Sequence, residues 1–157
     1  MPQNSVWNDS MDREKSDKLL INIEGRFFAL ELSEIARIVT TERVFLMPQA
    51  APPVEGVIAD RGEPLVVLNL KNLFGNNGKA AGPYAIIITR DGKRVLGLYC
   101  GAERLNFLWK KDQENGVFKP AKERFTKGVI ELSGSEVSIV DCGALYNEAS
   151  NILSQRG

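Results

Sequence analysis

The sequence predicts an all-β protein with short helices, built from two similar β units, and three observations predict it. Turn signals recur at short intervals between apolar segments. Those segments are made of Val, Ile, Leu and Phe, the residues that suit a pleated, half-buried surface. Residues 56–74 also lie over 128–146 without a gap: GVIADRGEPLVVLNLKNLF over GVIELSGSEVSIVDCGALY. Gly, Val, Ile, the turn Gly and a Leu coincide, and strand, turn, strand and helical exit fall in step. Small hairpin-rich units hide their strand edges by curling into barrels.

Taken in order, the elements are as follows. LLINI and RFFALEL flank a turn at Glu24-Gly25, with Phe28, Leu30 and Leu32 alternating against Ala29 and Glu31. Ser33 is placed to cap a short helix in which Ile35 and Ile38 share a face. The segment 54–70 turns at Arg61-Gly62, and Leu70–Phe74 makes one helical turn stopped by Gly75. GNNGKAAGP, 75–83, reads as a connector. AIIIT and RVLGLYC form a hairpin about Asp91-Gly92, with AIII apolar on both faces and therefore covered on both sides. The charged stretch 109–127 reads as a loop. After the Ser133-Gly134 hairpin, Asp141 caps a C-terminal helix with Leu145, Ala149, Ile152 and Leu153 on one face. A polar tail, 1–17, precedes a main domain over 18–147, and 148–157 ends the last helix.

Composition narrows the function. The 157 residues suffice for one domain or two small ones sharing a core. Acids and bases balance at 20 each, which does not mark a nucleic-acid binder. There is no histidine, hence no histidine general base or ligand. Cys100 and Cys142 lack metal-ligand spacing and read as reduced, buried thiols. The tail has no apolar core, so it reads as neither secretory signal nor membrane span, and the expected location is cytoplasmic. No metal or cofactor is expected.

Arg61 stands out. Its repeat counterpart is Ser133, so the turn itself does not require arginine. The plain alternative is a solvated loop charge. The functional one is a contact residue, since arginine is enriched at binding hot spots.

Over roughly 18–147 the chain resembles the CheW-like domains, the adaptors of bacterial chemotaxis. The residues that carry this are Gly56-Val57-Ile58, Ala59-Asp60-Arg61-Gly62, Leu65-Val66-Val67, Leu68-Asn69-Leu70 and Phe74-Gly75. Pro48 to Pro53, Ile86-Ile87-Ile88, RVLGL and Ile139-Val140-Asp141 with Leu145 follow the same family order. The resemblance implies two five-stranded, SH3-like barrels packed together and a non-enzymatic role. It implies coupling of methyl-accepting chemoreceptors to the regulatory domain of the histidine kinase CheA, at receptor arrays on the inner face of the membrane. The partner-binding residues it implies are Arg61 on its turn, with Gly56 and Glu63 of the same motif, and Ile35 and Arg37 of the short helix. Ile86 and Leu96 are expected on a groove between the barrels that takes the receptor tip.

Departures from the family pattern are Arg37 for glutamate, Ala59-Asp60 for Asn-Leu, Asn69 for Asp, and Cys100-Gly101 for Val-Asp. A charge reversal at a contact changes partner preference, so a divergent scaffold in a non-motility pathway is an alternative. Two other classes compete. An enzyme could use Asp60 and Glu63, but no second constellation converges on them. A nucleic-acid module could use Lys110, Lys111, Lys119, Lys122, Arg124 and Lys127 near Phe107 and Trp109, but Asp112, Glu114 and Glu123 dilute that charge. The favoured reading there is a solvated loop with Trp109 tucked against the barrel.

Overall fold

The computed structural model describes residues 16–47, 50–75, 84–101 and 105–155. The tail expected over 1–17 and the connector over 75–83 lie outside these residues, apart from Ser16, Asp17 and Gly75.

Among the described residues, twelve strands make two mixed sheets. In chain order they are β1 (Lys18–Ile23), β2 (Arg26–Glu31), β3 (Ile35–Thr41), β4 (Phe45–Leu46), β5 (Val54–Asp60), β6 (Glu63–Asn69), β7 (Tyr84–Asp91), β8 (Arg94–Tyr99), β9 (Asn106–Leu108), β10 (Val117–Lys119), β11 (Thr126–Leu132) and β12 (Ser135–Val140). Helix α1 (Leu70–Phe74) follows β6 and α2 (Cys142–Ser154) follows β12. The first sheet runs β10-β11-β12-β2-β1-β9 and the second β4-β5-β6-β8-β7-β3. Each has six strands, one more than the expected five, because short edge strands of two or three residues join them.

The two sheets have the same plan. Each joins two hairpins through one parallel pair, β12 with β2 and β6 with β8. The internal repeat extends to irregularities: β5–β6 shifts register between Val54 and Gly56, and β11–β12 shifts at the matching Thr126 and Gly128. Asn69 caps α1 by accepting from the Lys71 amide at 2.9 Å, and the matching Asp141 caps α2 by accepting from the Ala144 amide at 3.2 Å. Yet neither repeat makes a sheet from its own strands alone. The N-terminal hairpin β1–β2 completes the sheet of β9–β12, and β7–β8 completes the sheet of β3–β6. The chain therefore crosses between sheets after β2 and again after β8.

Side chains from strands near both edges of the second sheet converge on one interior. Val39 of β3 packs with Ile58, Leu65, Val67, Ile86, Ile88 and Tyr99. The first sheet encloses Leu108, Ile130 and Ile139 with Phe118 and Leu132. A larger cluster fills the space between the sheets, including Leu19, Ile21, Phe28, Leu30, Leu68, Ile87, Leu98 and Leu145. Ile87 thus faces one core while Ile86 and Ile88 face the other, which is why AIII is apolar on both sides. Each such side chain contributes about 2 kcal/mol by leaving water.

Two local expectations are corrected. The segment carrying Ile35, Arg37 and Ile38 is strand β3, entered through a 3-10 turn at Leu32–Glu34, and Ser33 caps nothing. The run Ile35 to Thr41 is rich in β-branched residues, and pairing with β7 satisfies its backbone. The stretch 109–127 is not wholly loop. It holds a 3-10 turn at Lys110–Gln113, strand β10 and the start of β11. Pairing with Val129–Glu131 orders β10 despite its weak pattern.

Candidate partner-binding site

Asp60 and Glu63 close the β5–β6 hairpin around a two-residue loop, Arg61-Gly62. Both loop residues have positive φ, +54° and +80°. This is what a primed hairpin turn requires, since its twist must match the strands. Glu24-Gly25 and Ser133-Gly134 repeat the geometry at their own hairpins. Three unrelated residues fill the first position, so backbone geometry did not select arginine. A left-handed arginine costs about 1 kcal/mol relative to glycine, and its side chain is held out exposed.

Three more cations gather near this tip. Arg37 comes from β3, where its guanidinium donates to the Asp60 carboxylate. The β7–β8 loop is Gly92-Lys93, one residue later than the expected Asp91-Gly92, so Lys93 lies in the turn and Arg90 just before it, both exposed. Together with Glu63 they line a cleft of about 460 Å³, floored by Pro64, Leu65, Val66 and Val95. The lining carries four cations against two carboxylates. Among the described residues, only Arg37 of the four cations is ion-paired.

A second cleft of about 270 Å³ adjoins the first, sharing Val66, Lys93 and Val95. It runs to α2, where Tyr146, Ala149, Ser150 and Leu153 form its far wall. That wall is fixed in place. The Tyr146 hydroxyl donates to Thr89 Oγ1 at 3.0 Å, and burial raises its pKa above the usual phenol value. The Arg94 guanidinium covers the Tyr146 ring at 4.8 Å and bonds Asp91 at 2.6 Å.

Of the residues expected from the sequence, the first cleft brings together Arg37, Arg61 and Glu63. Ile35 is half-buried and packs on the inter-sheet core. Gly56 is buried, and its role is steric: a Cβ there would lie 2.2 Å from the Phe45 carbonyl oxygen. Glycine lets β4 approach β5. Ile86 is fully buried within the second sheet, so the expected groove contact does not hold for it; alternation along β7 turns it inward. Leu96 is 3% exposed and belongs to the inter-sheet core, touching only the floor of the second cleft. Sequence reasoning missed Asp60 as the partner of Arg37, and Arg90 and Lys93 as members of the site. The signal for the latter was basic residues on both sides of the Asp91-Gly92 turn.

The competing chemistries find little support in the geometry. Asp60 faces Arg37, so it does not pair with Glu63 as an acid–base couple. On the first sheet, Lys119, Lys122, Arg124 and Lys127 face Glu131, Glu136, Glu148 and Glu31 at 2.8, 2.5, 3.6 and 3.7 Å. Their charge is spent on their own neighbours. Trp109 does not tuck in: it stacks on Phe107 at 5.0 Å and stays 45% exposed. Cys100 and Cys142 are buried and not joined in a disulfide, and burial pushes the Cys142 thiol well above its usual pKa. Among the described residues no helix is long and apolar enough to cross a membrane.

Comparison with known proteins agrees with this architecture. No curated protein matches the chain. The solved structure of the scaffolding protein TtCheW from Thermoanaerobacter tengcongensis is similar to it, with a TM-score of 0.63 and 19% identity over 80% of this chain and 88% of that one. The family model for the CheW-like domain matches residues 17–150, which span both sheets, α1 and most of α2, and the chain therefore belongs to the CheW-like domain family.

Proposed function

We propose that this protein is a non-catalytic adaptor that couples methyl-accepting chemoreceptors to the regulatory domain of the histidine kinase CheA, at arrays on the cytoplasmic face of the membrane. One observation carries the reading. Arg61 is displayed on a strained turn that glycine or serine would satisfy, at the mouth of a cleft, with no ion-pair partner among the described residues. The matching hairpin holds Ser133 in the same left-handed geometry, so what points to a use outside the fold is the long cation kept at this exposed tip, not the turn itself. Membership in a family of non-catalytic scaffolds supports the rest. A divergent scaffold outside motility is the second reading, favoured by the Arg37–Asp60 pair, which replaces two residues of the family pattern.

Replacing Arg61 with alanine tests the first reading. The thermal midpoint stays within about 2 °C, because alanine and arginine bear the same left-handed strain. Capture of a receptor tip fragment or a kinase regulatory domain weakens by about tenfold or more. Unfolding of the variant, or undiminished capture of both fragments, rejects the role given to Arg61.

A further inference from the structure

We infer that the cleft between the β5–β6 and β7–β8 tips receives an acidic segment of a partner protein, whose carboxylates pair with Arg61, Arg90 and Lys93. This rests on the adaptor reading and adds the chemistry of what the cleft accepts. Arg37 is already occupied by Asp60, so it shapes the wall and leaves the other three cations to a ligand. Three exposed cations around one concavity raise the local concentration of negative charge and speed encounter with an acidic surface. Glu63 lies among them and repels carboxylates at its own position, which fixes the direction of an incoming segment.

The shape selects a segment over a small anion. Below the cationic rim the floor is aliphatic, and it continues through Val66 and Val95 into the cleft beside α2. A free phosphate would use the rim and leave that floor wet. An amphipathic segment with acidic and aliphatic sides uses both. The same floor argues against a nucleic acid, because no aromatic ring lines the first cleft and single strands are held by stacking. The second cleft does contain Tyr146, but Arg94 covers its ring.

The test uses the full chain and a fluorescent amphipathic helical peptide bearing glutamates along one side, beside a twin with glutamine at each of those positions. The expected result is about tenfold tighter binding of the glutamate peptide at low salt. The margin should shrink as salt rises from about 0.05 to about 0.5 M. The variant Arg90→Glu/Lys93→Glu should lose the margin, as should Arg90→Gln/Lys93→Gln, which removes charge without reversing it. Lys111→Glu, an exposed change in the 3-10 turn between β9 and β10, should keep it. Equal binding of the two peptides overturns the proposal. So does a margin that survives in both double variants, or full displacement of the peptide by inorganic phosphate or a single-stranded oligonucleotide. The adaptor reading fails separately. Preference for the acidic peptide without capture of any receptor or kinase fragment sinks that reading and leaves the acidic site standing. Salt-independent capture that both double variants retain does the reverse.

Discussion

Arg37 on β3 and Asp60 at the end of β5 form an ion pair that joins one edge of the second sheet to a hairpin tip near its other edge. Both side chains are largely covered, 22% and 16% exposed. These are also two of the positions at which the sequence departs from the CheW-like pattern. The cation at one position is matched by its counter-charge at the other.

A charge swap checks this coupling. Arg37→Glu places two carboxylates together and should lower stability by about 1–2 kcal/mol, the loss of a partly covered pair plus repulsion. Adding Asp60→Arg should restore most of it. Thermal melts of the two single variants and the double variant give the interaction energy directly. Additive losses would mean the pair contributes nothing. A test of partner preference with Arg37→Glu needs Asp60→Leu beside it, because otherwise repulsion between the introduced carboxylate and Asp60 at the tip obscures the result.

The elements most legible in the sequence were those specified locally. Glu24-Gly25, Arg61-Gly62 and Ser133-Gly134 each turn a hairpin because glycine accepts positive φ, and that information lies within four residues. The cap Asp141 sits one residue before its helix and is legible there, whereas the matching cap Asn69 was not picked out. What else escaped depended on distant partners. Ile35 and Ile38 have helical spacing, but β7 supplies the hydrogen bonds that make them strand. The repeat was visible, whereas the exchange of hairpins between sheets was not, since pattern within a unit says nothing about which copy it joins. At the site, Arg61 was found from its turn. Arg90 and Lys93 were not, because only the curl of the sheet brings their tip beside it.

The first sheet encloses a polar group that should be costly to disturb. Lys18 is fully buried, 3.6 Å from Glu31, and its ammonium donates to the Ser16 carbonyl at 2.9 Å and to Gln113 Oε1 at 3.0 Å. Burial lowers its pKa, and Glu31 partly restores it. Glu31→Ala removes the carboxylate that contributes most to holding that ammonium charged and should cost about 3 kcal/mol in denaturant melts. Lys18→Met/Glu31→Leu removes both charges and should recover most of the loss. A double variant no more stable than Glu31→Ala would show that the network, with Gln113, is needed as a whole.

Glu34 supplies a test against pH. It sits in the 3-10 turn where the chain first crosses between sheets, and its Oε1 is buried without a hydrogen-bond partner. Burial raises its pKa; Glu31 and Asp141 add to the rise, while Lys127 and the hydrogen-bonded Cys142 thiol oppose it. The folded protein thus holds this proton to higher pH than the unfolded chain does. Stability from this group is complete below the unfolded carboxyl pKa of about 4.3 and is lost as pH climbs through the folded value. Glu34→Gln keeps the shape and abolishes the titration. Its gain in thermal midpoint over the parent should be largest near neutral pH and should shrink as the solution is brought to about pH 4. A gap that is constant with pH, or that widens in acid, would show that Glu34 is ionised at no cost where it lies.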